Sequence, residues 1–172
     1  MKLPNCTKRP ECRCPDGYFK TIDGMECLRI GRELVDCAEA EQICANDFNA
    51  RLAVAKDSTR LVRLSDVLRQ TGNNDDYFWL GLAYNRTEYG MPMWKWSDHT
   101  YLTQDMKRHM ELTEPFKKSA QLRMIELGGV TGPIERVAIN SGYKGKTWQQ
   151  ESCLSDGPYG SQRALHKYIC EL

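Results

Sequence analysis

Eight cysteines are the most reactive groups in this 172-residue chain. Thiols can hold zinc, attack a carbonyl or oxidise to bridges. None of the eight stands in a CxxC…CxxC or Cys/His arrangement of the kind that binds zinc, and a glutathione-buffered cytosol would keep so many reduced. They therefore read as disulfides of an oxidising compartment. Two glycosylation sequons, Asn5-Cys-Thr7 and Asn85-Arg-Thr87, fit a secretory route and make Asn5 and Asn85 glycan acceptors. His99, His109, Glu111 and Glu114 gather imidazole and carboxylate donors in one stretch, but their spacing matches no metal signature and reads as a solvated loop face. General-base candidates are scarce, with three histidines in all. There is no Gly-x-Ser-x-Gly elbow, phosphate-binding glycine loop or HExxH, so the chain reads as a binding protein and not an enzyme.

Charge excludes further classes. Against 24 Lys and Arg stand 23 Asp and Glu, a net charge of +1 that gives no bulk attraction to nucleic acid or anionic membrane. Lys107, Arg108, Lys117 and Lys118 read as wetted surface. No apolar run is long enough to insert directly into a bilayer, and the start carries no apolar signal core, so the expectation is a mature secreted chain or an excised ectodomain.

The elements that must position these groups follow from the pattern. Residues 1–13 are polar, with Pro4, Pro10, Cys6 and Cys12, and read as a tail. From Cys14, CPDGYFKTIDGMECLRI reads as a hairpin closed by Cys14 and Cys27. Cys37, Ala40, Cys44 and Phe48 form one apolar stripe at helical spacing. A second helix starts at an Asp57 or Ser58 cap, carries Leu61, Leu64 and Leu68 on one face, and stops at Gly72. YFWLGLAY and MPMWKWSD switch to extended structure, with Trp79, Trp94, Trp96 and, later, Trp148 expected to pack the core. Residues 98–134 show neither period and contain Pro115, Gly128, Gly129, Gly132 and Pro133, which predicts a long functional loop. ERVAIN, KTWQQESC and HKYICEL close the chain as three strands, making the fold class α+β.

Five stretches in this order carry a resemblance: CPDGYF…CLRI, Ala40-x-x-x-Cys44, Trp79-Leu-Gly-Leu82, Trp94-Lys-Trp96-Ser-Asp98 and Tyr168-Ile-Cys170-Glu171. Over residues 14–172 the chain resembles the long-form C-type lectin-like domain. The resemblance implies two helices and a twisted antiparallel sheet with an extended long-loop region at about 98–134. It also implies a Cys44–Cys170 bond, which the chain-entropy model values at roughly 4 to 5 kcal/mol. It further places Cys153 as the second half of a loop-bracing disulfide whose first half falls at Val137, and Cys37 where the family has an aromatic. Cys6, Cys12, Cys37 and Cys153 then remain, able to pair among themselves in three ways or to leave thiols for a partner chain.

The family grips sugar through calcium held by a Glu-Pro-Asn or Gln-Pro-Asp loop, a later Glu, and an Asn-Asp pair after a strand tryptophan. The matching positions here are Glu114-Pro115-Phe116, Glu135 and Trp148-Gln149-Gln150. Calcium draws most of its affinity from carboxylates, and the final pair has lost its own. The resemblance therefore implies ligand contacts at Glu114, Pro115, Glu135, Gln149 and Gln150, with a glycan or an extracellular protein as ligand and no cofactor required. Two alternatives accompany this reading: calcium-dependent sugar binding through a weak site with Glu135 as a metal ligand, and a structural subunit joined by disulfides into a homo- or heterodimer.

Overall fold

The computed structural model describes residues 13–21, 26–74, 76–86, 92–112, 135–142, 148–153 and 164–172. Cys6, Cys12, Asn5, Glu114, Pro115 and most of the 98–134 loop lie outside these described residues, as does the rest of the 1–13 tail apart from Arg13.

The amino-terminal hairpin pairs β1 (Phe19–Lys20) with β2 (Cys27–Val35), and a Cys14–Cys27 disulfide closes it with a Cα separation of 5.6 Å. β2 then runs antiparallel to β8 (His166–Glu171), so both ends of the described chain share one part of the sheet. Gly31 is required in that pairing: a Cβ there would lie 2.0 Å from the ring of its register partner Tyr168.

Helix α1 (Cys37–Asn46) is capped by Asp36, whose carboxylate accepts from the Glu39 N–H at 2.8 Å. Its inward face is Cys37, Ala40 and Cys44. Phe48, which the helical spacing adds to this stripe, does not join it. The helix ends at Asn46, Phe48 and Asn49 take left-handed backbone at φ 56° and 55°, and the Phe48 ring sits exposed, edge-on to Tyr18. Helix α2 (Ser58–Gln70) takes Asp57 as its cap, buries Leu61, Leu64 and Leu68, and stops at Gly72 with φ 79°.

β4 (Phe78–Arg86) is the spine of the sheet. It pairs antiparallel with β5 (Pro92–Trp96) and β6 (Glu135–Ile139), and parallel with β8 through Phe78↔Lys167 and Trp79↔Tyr168. The order is β1-β2-β8-β4-β6-β7, with β7 (Trp148–Ser152) pairing β6 and the two-residue β3 (Arg51–Leu52) pairing β8. The sheet is therefore mixed and mostly antiparallel. The parallel contact arises because the last strand enters between β2 and β4, a long-range insertion that local patterning does not encode.

The stretch that shows no period contains a third helix, α3 (Gln104–His109). Thr103 caps it, and Met106, Met110 and Leu112 are buried in the main core. Six residues are too few to display a helical period, so the helix is legible only from its packing.

Two apolar clusters flank the sheet. One joins α2, α3, Phe78, Leu80, Trp94, Trp96, Val137 and Ile139; the other joins α1, Trp79, Ala138, Tyr168 and the disulfides. Trp79, fully buried, donates its indole N–H to the Val35 carbonyl at 2.8 Å. Cys44 and Cys170 are bonded with Cα atoms 5.5 Å apart, fastening α1 to the last strand. Of the pairings open to the remaining cysteines, Cys37 is bonded to Cys153, again with Cα atoms 5.6 Å apart. Cys153 thus finds its partner on α1, and not on β6 where Val137 stands.

Candidate ligand-recognition face

The register of β6 against β7 decides which groups can act together. Glu135 lies opposite Ser152, Val137 opposite Gln150, and Ile139 opposite Trp148. Strand alternation puts Glu135, Val137, Ile139, Trp148 and Gln150 on one face, and Arg136, Ala138, Gln149 and Glu151 on the other. Core membership agrees, since Val137 and Ile139 belong to one cluster and Ala138 to the other. Of the five residues that resemblance assigns to ligand contact, Glu135 and Gln150 come together, while the exposed Gln149 lies on the opposite face. Glu114 and Pro115 are outside the described residues.

Gln150 donates its side-chain N–H to Oε2 of Glu135. An ionised carboxylate only accepts hydrogen bonds, so the amide must turn its NH₂ inward. The Glu135 carboxyl is held above the usual carboxylate range. Burial raises it most, the Gln150 hydrogen bond opposes that, and the negative charge of Glu151 adds to the rise.

Aromatic groups border this pair. Two residues before Gln150, Trp148 is half-buried, donates its indole N–H to the Met110 carbonyl at 2.8 Å, and meets the exposed His109 ring with centroids 5.5 Å apart. Tyr84, the register partner of Glu135 on β4, is buried edge-on to Trp94 at 5.5 Å. Alternation in YFWLGLAY could have pointed to Tyr84. His109 could not be placed without α3.

The reverse face fixes the two strands in position. Arg136 is buried to 2% exposure, donating to the Leu80 carbonyl at 3.1 Å and to Glu41 of α1 at 2.8 Å. Burial lowers its pKa, and the Glu41 charge works against that. Immediately after β7, the Cys37–Cys153 bond ties the strand to α1. Glu151 lies 3.9 Å from Nε2 of His166, whose ring is edge-on to Trp79 at 4.8 Å. Among the described residues, no group of three or more His, Cys, Asp or Glu side chains is placed to hold a metal ion.

Comparison with known proteins matches residues 33–159 to the model of the lectin C-type domain. No curated protein sequence matches the chain. Human lithostathine is structurally similar at TM-score 0.58 and 14% identity, over 100% of this chain and 96% of that one. The mouse scavenger receptor C-type lectin carbohydrate-recognition domain matches at TM-score 0.54 and 14% identity, over 92% and 97%. Ovocleidin-17 of the Gallus gallus eggshell matches at TM-score 0.54 and 19% identity, over the same shares. At such identities the structures establish the fold alone, and the matched domain spans most of the chain. This chain belongs to the C-type lectin domain family.

Proposed function

We propose that the domain is an extracellular recognition module that binds a protein or glycan ligand through the Glu135–Gln150 face without calcium. The observation that carries this reading is the hydrogen bond from Gln150 to Glu135. Calcium takes six to eight oxygen ligands and favours carboxylates. Here the face offers one described carboxylate, an amide turned donor-first toward it, and a Gln149 directed to the far side. These groups do not fit the family's metal, but they suit direct hydrogen bonding to a ligand.

Buried disulfides support an oxidising, extracellular setting, and among the described residues no helix is long and apolar enough to cross a membrane. We read the module as non-catalytic, in keeping with a fold that generally binds. Asn85, on β4 opposite Met93, and Asn5 are read as glycan acceptors, which a mobility shift on deglycosylation would reveal. The assembly-subunit alternative now rests on Cys6 and Cys12, since Cys37 and Cys153 are bonded to each other.

Calorimetry tests the calcium-free reading. The expected result is no saturable heat when calcium is titrated to low millimolar concentration. Binding that Glu135→Ala abolishes would overturn it.

A further inference from the structure

Among the carboxylates around the sheet, Glu135 has an unusual set of neighbours. Asp47 meets Arg29 at 2.5 Å, Asp98 meets Lys56 at 2.7 Å, and Asp76 meets Lys167 at 2.5 Å. Glu171, almost fully buried, has Arg51 at 3.4 Å and Arg60 at 3.8 Å. Glu135 is half-buried too, yet among the described residues no cation lies within ion-pair distance of it. Its hydrogen bond comes from the neutral amide of Gln150, and the charge that acts on it, from Glu151, has its own sign.

A carboxylate removed from water needs a positive partner or several donors, and its two oxygens have acceptor sites beyond the one Gln150 occupies. Trp148 lies on the same strand face two residues from Gln150, about 7 Å along the strand. Its ring, against that of His109, continues this strand face beyond Gln150, four register positions or about 13 Å along the strand from Glu135. A calcium ion would demand oxygens that the described residues of this face do not supply, whereas an N–H cation can be held by a single carboxylate.

We propose that Glu135 is the seat for a cationic side chain, a lysine ammonium or arginine guanidinium presented by a protein ligand, with Gln150 orienting the carboxylate and the Trp148–His109 pair continuing the strand face beyond it. This rests on the calcium-free reading of the same face and gives its ligand a chemical class. Neutral sugar hydroxyls would leave the charge of Glu135 unmatched; a basic side chain matches it.

The test is a nitrogen-15 NMR titration of the full chain with its disulfides intact. It follows the Gln150 side-chain amide and the Trp148 indole N–H. The probes are Nα-acetyl-lysine amide, Nα-acetyl-arginine amide, the neutral Nα-acetyl-norleucine amide, glucosamine and calcium chloride. The two basic amino-acid probes are expected to shift both resonances saturably, with norleucine amide inert. Glu135→Gln should weaken binding about tenfold or more while keeping a dispersed spectrum. Equal shifts from norleucine amide would remove the cation from the seat yet leave the face a ligand surface. Preference for glucosamine would replace the protein ligand by an amino sugar. The same shifts from calcium would overturn both this inference and the calcium-free reading. Silence from every probe at tens of millimolar would overturn the inference alone.

Discussion

On one face of the β6–β7 ladder, Arg136 is sealed between the Leu80 carbonyl and Glu41, and the Cys37–Cys153 bond follows directly after β7. On the other, Glu135 holds a hydrogen bond from Gln150 with no described cation nearby. The same two strands supply both faces, and alternation assigns each residue to one of them. Charge is compensated by an ion pair where the ladder meets α1, while at Glu135 no cation among the described residues does the same. The contrast separates what holds the strands from what they present.

Removing the covalent part of the anchored face should have the largest effect. Cys37→Ala with Cys153→Ala opens a loop of sequence separation 116, and the expected loss is about 4 kcal/mol in urea unfolding. Next comes the buried ion pair, where the two partners should behave unequally. Glu41→Ala strands a guanidinium that is only 2% exposed and should cost about 3 kcal/mol. Arg136→Met leaves behind a half-exposed carboxylate and one unmet carbonyl, and should cost about 1 to 2 kcal/mol in the same assay. Equal losses would mean that Arg136 is not held as a buried charge.

A pH series sharpens the contrast between a carboxylate paired with a cation and one bonded to a neutral amide. At Asp98, burial pushes the pKa up, but hydrogen bonds from Lys56 and Thr100 outweigh it and bring it to about 2. Its contribution is present above the unfolded value of 3.8 and lost as pH falls through about 2. Asp98→Asn should therefore cost about 1 kcal/mol at neutral pH, discounted because Lys56 is exposed, and nothing in strong acid. Glu135 has the opposite sign. Its raised pKa means the folded state binds the proton more tightly, so its contribution is complete below 4.5 and lost as pH rises through the folded value. Glu135→Gln should gain stability relative to the parent across that window and keep the gain at neutral pH, as read by thermal unfolding. The smallest stability effect belongs to the exposed Gln149: Gln149→Ala should change stability by less than about 0.5 kcal/mol and leave ligand binding intact, while Gln150→Ala weakens binding.

Much of this architecture was readable in the sequence. The Cys14–Cys27 hairpin, both longer helices and the three closing strands announce themselves through local period, caps and turns. Glu135 and Gln150 could be singled out by resemblance, but their separation from Gln149 needed the β6–β7 register, which lies between strands and not within either. The Cys37–Cys153 bond is illegible for a similar reason: its two halves are neighbours only after α1 and β7 have docked. α3 was hidden by its length, and Phe48 by a backbone turn that breaks its helical spacing. Local rules reached the elements; the site depends on contacts between them.

The Cys44–Cys170 bond also has a mechanical consequence. Tension applied through the two ends of the chain would enter at α1 and the last strand, where this bond joins them directly. The segment between, which includes Glu135, Gln150 and both strands of the proposed ligand face, lies in a covalent loop that such a pull cannot extend. A module tethered by its ends and tugged by a bound partner would keep this surface in shape, with only the chain outside the Cys14–Cys27 and Cys44–Cys170 loops free to lengthen.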